Sequence, residues 1–69
     1  MKMVKSQDHT GAMAVGLWNF FADTAIDPVV ELGKDYSDIK FINCEGQLNG
    51  NKVYLNNISP FAFVGFEVK

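Results

Sequence analysis

Apolar and polar residues alternate with a period of two along much of this chain, which is the pattern of half-buried β-strands. In the stretch DIKFINCEGQLNGNKVYLNNI, two alternating runs, residues 39–43 and 52–55, flank a turn that contains Asn49-Gly50. An Asn-Gly pair favours a type I′ turn, because both central residues of that turn need a positive φ. We therefore predict a β-hairpin between these two runs, with either this tight turn or, because Gly46 is a second permissive position, a wider or bulged loop. Its expected core face carries Ile39, Phe41, Val53 and Leu55, and its mixed face carries Lys40, Ile42, Lys52 and Tyr54.

The final run, FAFVGFEVK, is apolar in both registers as far as Gly65. A strand that is apolar on both faces is typical of the middle of a sheet. We therefore predict a central strand that is covered on both faces at its start. A shorter strand is predicted within DPVVELG, between a turn at Asp27-Pro28 and a stop at Gly33.

Residues 12–22, AMAVGLWNFFA, fit either a helix or a strand. Alanine, methionine and leucine favour a helix, but Gly16 lies in the middle and Val15 and the aromatic residues are weaker helix formers. Thr10 also has no partner at position 13 that would complete a capping box. The strand is therefore favoured over the helix. One face of it would carry Met13, Val15, Leu17 and Phe21, and the other Ala12, Ala14, Gly16, Trp18 and Phe20.

These elements together predict an all-β fold, a small antiparallel β-sandwich of about six strands. Residues 1–69 are expected to form a single domain, because a chain of this length buries only about 60% of its unfolded surface and builds one core. The opening MKMVKS begins as though inside a strand. This feature favours a carboxy-terminal fragment of a longer chain.

Charge and hydropathy exclude two classes of partner. The formal net charge is −2 and is spread without long runs, so there is no basic stripe that would bind nucleic acid or an anionic membrane. The apolar run of residues 12–22 is shorter than the roughly 20 residues that cross a bilayer, and no export signal is recognised. Cys44 is the single cysteine, so no intrachain disulfide forms, which favours a cytoplasmic location.

The sequence contains no constellation of catalytic, metal-binding or cofactor-binding residues. His9 and Cys44 occur once each, whereas zinc takes three or four protein ligands. The aspartates between the strands are interpreted as turn formers, and the scattered glycines form no phosphate-binding motif. Glycoside hydrolysis needs two carboxyl groups across a cleft, which so small a domain does not enclose. We therefore expect no catalytic residue, metal or cofactor, and no enzymatic activity of the chain by itself.

The face that holds the single tryptophan is the most informative surface. Ala14 and Gly16 are small and lead to the large rings of Trp18 and Phe20, so they form a shallow shelf with an aromatic wall. Three kinds of structure fit against this surface: a second sheet of the same domain, another protein surface, or a sugar ring.

The end of the chain carries a motif of the form L-x-x-I-x-P-[aromatic]-x-[aromatic]. It consists of Leu55, Ile58, Pro60, Phe61 and Phe63, and it is followed by GFEVK. With this ending, residues 12–69 resemble the carboxy-terminal all-β domains of multidomain carbohydrate-active enzymes, the glycoside hydrolases and related glycoside phosphorylases. Ala62 stands where members of that family often carry glycine. The resemblance implies an antiparallel sandwich that follows a catalytic domain and supplies no catalytic residue.

Two functional hypotheses remain. In the first, a noncatalytic accessory domain packs its shelf against a catalytic domain or against a second copy of itself. In the second, a carbohydrate-binding module stacks a sugar ring on Trp18, with Tyr36 or Tyr54 as a further platform. The neighbours of Trp18 are apolar apart from Asn19, whereas a sugar-stacking residue is normally ringed by polar groups. Docking is therefore favoured.

Overall fold

A computed structural model describes residues 2–69, which form seven β-strands in two antiparallel sheets. The larger sheet has the strand order β1-β2-β7-β4, and the smaller sheet has the order β3-β6-β5. The predicted all-β sandwich is confirmed, with β5 as a strand that the sequence did not indicate. The strands are β1 (Lys2–Gln7), β2 (Met13–Trp18), β3 (Val29–Glu31), β4 (Ile39–Ile42), β5 (Gly46–Asn49), β6 (Lys52–Leu55) and β7 (Phe63–Val68).

The two sheets pack face to face around one apolar core. Successive side chains of a strand point to opposite faces, so every second residue of the inner strands reaches this core. Phe66 of β7 and Val53 of β6 are fully buried at its centre. The other buried apolar residues are Val15, Leu17, Val30, Leu32, Leu55, Ile58, Val64 and Val68.

The opening segment forms a strand, so the strand interpretation is confirmed and the helical alternative is wrong. Val15 and Leu17 point into the core, while Trp18 on the other face is exposed. The strand ends at Trp18 and does not continue to residue 22, because the side chain of Asn19 turns the chain by bonding to the backbone of the following loop. Phe21 consequently lies in that loop and does not share the face of Val15.

β7 is one of the two inner strands of the larger sheet, as predicted, with β2 on one side and β4 on the other. The predicted cover on both faces at its start is wrong, because the smaller sheet packs against only one side of the larger one. Phe63 at the start of β7 is 61% exposed, and Phe61 in the preceding turn is 65% exposed. The outer face of the sheet therefore displays aromatic rings.

The predicted hairpin partner is also wrong. β6 forms its tight hairpin with β5, whereas β4 pairs with β7 at an edge of the other sheet. Asn49 pairs with Lys52, so the central turn residues are Gly50 and Asn51, and of these only Gly50 has a positive φ, 63°. Glycine at the first central position fits a type II′ turn and not the predicted type I′ turn. The chain leaves β4 through Asn43, which has a φ of 57°.

The inward and outward faces of these strands agree with the sequence prediction. Val53 and Leu55 are buried, and Ile39 and Phe41 are half-buried against the core. β3 occupies the predicted short strand, and Gly33, with a φ of 86°, follows shortly after its end.

β1 accounts for the strand-like character of the opening residues, of which Met1 lies outside the described part. Residues 2–69 contain no helix with the length and apolar character needed to span a bilayer.

Candidate functional site

The outer face of the larger sheet changes from apolar to polar along the strands. Residues directly opposite each other in an antiparallel pair share a face. Trp18 lies opposite Phe63, with Lys2 beside Trp18 on the edge strand. The next row across the sheet consists of Val4, Gly16, Gly65 and Ile42, and the third row of Ser6, Ala14, Glu67 and Lys40.

Phe63 occupies the shelf that the sequence predicts beside Trp18. A Cβ atom on Gly16 would lie 2.9 Å from Cζ of Phe63, so the phenyl ring rests directly on this glycine. The absence of a side chain at position 16 is what allows the far end of the ring to approach the sheet this closely. The shelf is therefore filled by an exposed aromatic ring, which extends the wall from β2 to β7.

Two further phenylalanines continue the wall into the loop after β2. The ring centroid of Phe20 lies 5.9 Å from that of Trp18, at an interplanar angle of 67°, which is an edge-to-face contact. The ring of Phe21 lies 4.7 Å from that of Phe20, at 31°. Although they touch one another, these rings remain between 44% and 53% exposed. We call the set of Trp18, Phe20, Phe21 and Phe63 the aromatic patch.

The loop that carries Phe20 and Phe21 is held in place by Asn19, which is 1% exposed. The Nδ2 atom of Asn19 donates to the carbonyl oxygens of Asp23 at 2.8 Å, and of Ile58 and Ser59 at 3.2 Å. Its Oδ1 atom accepts from the N–H of Phe21 at 3.3 Å.

The backbone of Asn19 makes a further link, because its N–H donates to the carbonyl oxygen of Ala62 at 3.0 Å. One residue therefore joins the loop after β2 to the segment that leads into β7. This connection fixes the position of Phe20 and Phe21 relative to Phe63, so the aromatic patch is preorganised.

The structure separates Trp18 from both tyrosines considered as sugar platforms. Tyr54 points outward from the smaller sheet, because its neighbours Val53 and Leu55 point into the core. Trp18 points outward from the larger sheet, on the other side of the sandwich. The hydroxyl of Tyr36 donates to the carbonyl oxygen of Gly11 at 3.3 Å, near the opposite end of β2. Of the predicted site residues, Ala14, Gly16, Trp18 and Phe20 thus lie on one side of the molecule, and Tyr54 does not.

The reactive side chains do not converge on a catalytic centre. In the part of the chain that the structure describes, no three His, Cys, Asp or Glu side chains are grouped so that they could hold a metal ion. Cys44 is half-buried, and its thiol donates to the carbonyl oxygen of Gly65 at 3.2 Å. His9 is exposed in the turn between β1 and β2.

A shallow cleft of about 420 Å³ lies beside that turn, at the end of the sandwich away from the aromatic patch. In its lining, Oδ1 of Asp8 accepts from the hydroxyl of Thr10 at 2.6 Å and from the N–H groups of Thr10 and Ala12 at 2.9 and 3.2 Å. These bonds, first of all the Thr10 hydroxyl, hold the pKa of Asp8 below its usual value of 3.8. The carboxylate thus shapes the turn through local hydrogen bonds.

Sequence reasoning missed two components of this site, Phe63 and Asn19. The apolar pattern of β7 predicts a covered face for Phe63, and nothing in its local sequence shows which side of β7 the smaller sheet covers. Asn19 left a detectable signal, because it continues the inward register of Val15 and Leu17. A polar residue in a core register must find hydrogen-bond partners inside the protein, which predicts a structural bond network at that position.

Comparisons of the chain with protein-family models, curated proteins and solved structures gave no match.

Proposed function

We propose that this chain is a noncatalytic accessory domain that docks through its aromatic patch onto the catalytic domain of a carbohydrate-active enzyme. The observation that carries the proposal is the exposure of four clustered aromatic rings on one side of the molecule. Aromatic residues in a surface cluster with few charges are typical of the centre of a protein–protein interface.

The distribution of charge around the patch supports docking. Along the aromatic row the one charged side chain is Lys2, at the edge strand, while Glu67 and Lys40 lie two rows away. An apolar centre with charges at its rim is the usual anatomy of an interface. Preorganisation by Asn19 adds to this, since less loop entropy is lost when a partner binds.

The enzyme class of the partner is supported by the sequence resemblance of residues 12–69 to accessory domains of carbohydrate-active enzymes. The described fold, an antiparallel sandwich, agrees with that resemblance in architecture. Architecture alone does not imply function, so the experiment must identify the partner chemically.

A photo-crosslinking experiment tests the proposal. A benzophenone amino acid replaces Phe63 in the patch or, as a matched control, Tyr54, an exposed aromatic residue on the opposite side of the sandwich. After irradiation of producing cells, mass spectrometry identifies the crosslinked proteins. We expect position 63 to capture a catalytic domain of a carbohydrate-active enzyme and position 54 to capture none. Equal capture from both positions would contradict docking through the patch, and capture of an unrelated enzyme would contradict the assigned class.

The alternative, a carbohydrate-binding module, is favoured by one observation, the 47% exposure of Trp18. Its indole is in edge contact with Phe20, and neither tyrosine is placed to hold the same sugar ring. Titration of the chain with soluble oligosaccharides distinguishes the two functions. Docking predicts unchanged tryptophan fluorescence and no heat of binding in calorimetry, whereas a saturable fluorescence shift together with a heat of binding that is lost in Trp18→Ala would establish sugar binding.

A further inference from the structure

The edge strand β1 (Lys2–Gln7) is exposed along its whole length. Its register with β2 runs over six consecutive residue pairs without a bulge, from Lys2 opposite Trp18 to Gln7 opposite Met13. Within residues 2–69 no strand lies beyond it in the sheet. Its free edge therefore offers backbone N–H and C=O groups in a straight line, which is the geometry that accepts another strand.

β1 also extends past the smaller sheet, so its inward face is uncovered. Met3 and Lys5 lie opposite the buried residues Leu17 and Val15 and share their face, yet both are exposed. The Nζ atom of Lys5 donates to the carbonyl oxygen of Glu31, in β3 at the edge of the smaller sheet, at 3.1 Å. Lys5 thus marks where the second layer ends, and the space beside β1 is open on both faces.

We infer that a second copy of this chain pairs with β1 edge to edge, antiparallel, about a two-fold axis that passes through Val4. In this register Val4 faces Val4 of the second copy, Lys2 faces Ser6, and Met3 faces Lys5. Lysines on an edge strand normally discourage pairing with another edge. Here no lysine lies directly opposite a lysine, so the strand is compatible with itself.

The neighbouring registers of the same symmetry are less favourable. A shift of one step in one direction places Lys5 opposite Lys5, and like charges directly opposite destabilise a strand pair. Within the described strand Lys2–Gln7, a shift in the other direction centres the pair on Met3 and leaves only residues 2–4 of each copy overlapping. The Val4 register thus combines the longest overlap with separated lysines.

A second copy fits this edge better than an isolated peptide does, because the overhang occurs on both copies. When the two overhangs meet, Met3 of each copy packs along the aliphatic stem of Lys5 of the other. The two larger sheets then form one continuous sheet of eight strands, β4-β7-β2-β1-β1-β2-β7-β4. Both aromatic patches lie on the same side of that sheet, so the pairing leaves them open.

Analytical ultracentrifugation of the full chain tests this inference through charges at position 4. We expect the wild type to form a dimer, and both Val4→Lys and Val4→Glu to raise the dissociation constant at least about tenfold, because like charges then meet on the axis. An equal mixture of the two variants should form the dimer again. Val29→Lys serves as the matched control, since Val29 is a similarly exposed valine on the edge strand β3, and this variant should remain dimeric.

A wild-type chain that is still monomeric at about 1 mM, where even weak complexes form, overturns the inference. So does a dimer that survives Val4→Lys, or a mixture of the charged variants that stays monomeric. Because this edge is distinct from the aromatic patch, Trp18→Asp should leave the dimer intact. The inference therefore stands or fails separately from the proposed docking function.

Discussion

At the scale of single residues, Asn19 shows how one polar side chain in an apolar core organises a surface. The side-chain amide of Asn19 forms hydrogen bonds with the backbone of two loops. These bonds take the place of hydrogen bonds that the backbone would otherwise make to water. Buried polar groups are stable only when they are paired, so removal of the amide leaves carbonyl oxygens without a donor. The exposed rings of Phe20 and Phe21 thus depend on a residue that no partner would touch.

Replacement of Asn19 by alanine tests this role. We expect Asn19→Ala to lower the free energy of unfolding by about 2–4 kcal/mol, because the substitution leaves buried carbonyl groups unsatisfied. Urea denaturation measures the change. Asn56→Ala provides the control, since Asn56 is exposed, and it should change stability by less than about 0.5 kcal/mol. Equal losses in the two variants would show that Asn19 does not join the loops.

At the scale of elements, close contacts between neighbouring strands limit which side chains fit at a position. These contacts cannot be read from the sequence alone. Gly16 and Gly65 lie opposite each other in β2 and β7. A Cβ atom added to Gly65 would lie 2.8 Å from the backbone carbonyl oxygen of Val15. A Cβ atom added to Gly16 would instead meet the far end of the Phe63 side chain, and that ring can move. The two glycines therefore differ in what a methyl group would displace.

Alanine substitutions separate these two situations. Gly65→Ala should cost about 2–3 kcal/mol of stability, because the backbone of β2 must shift to admit the methyl group. Gly16→Ala should cost less than about 1 kcal/mol, because the Phe63 ring swings into solvent and alanine loses less chain entropy than glycine. Thermal unfolding gives the order of stability, and NMR shifts of the Phe63 ring report its movement. A larger loss for Gly16→Ala than for Gly65→Ala would show that backbone does not surround Gly65 more closely than Gly16.

The element scale also shows what a sequence can and cannot predict. The faces of β4 and β6 were predicted correctly, because the alternation of side chains is a local property of each strand. The partner of β4 was not predicted, because β4 pairs with β7 at the far end of the chain, and such long-range pairing is not a local property. Glu45 and Gly46 interrupt the apolar alternation, and this concealed β5 as a strand. The position of the turn was predicted to within one residue. Because Asn49 pairs with Lys52, the central turn residues are Gly50 and Asn51, which fit a type II′ turn and not type I′.

At the scale of the whole molecule, the sandwich has two outer faces of different character. The larger sheet carries the aromatic patch, and the smaller sheet carries the exposed Tyr54. A sandwich this small has only two layers, so nothing within residues 2–69 covers the outer face of the larger sheet. The sequence predicted the shelf beside Trp18, since small residues on that face lead to large rings, but not the ring of Phe63 that fills it. That contact depends on the register in which β7 pairs with β2.

Acrylamide quenching of the single tryptophan in the dilute, folded chain tests whether the aromatic patch is open to solvent. The indole of Trp18 is 47% exposed on the outer face of the larger sheet, so its emission should resemble that of a solvated indole and should be quenched efficiently. Because Trp18 is the one tryptophan, the signal needs no assignment. Blue-shifted emission that resists quenching in a monomer would mean that the indole is enclosed, and it would contradict an open aromatic patch.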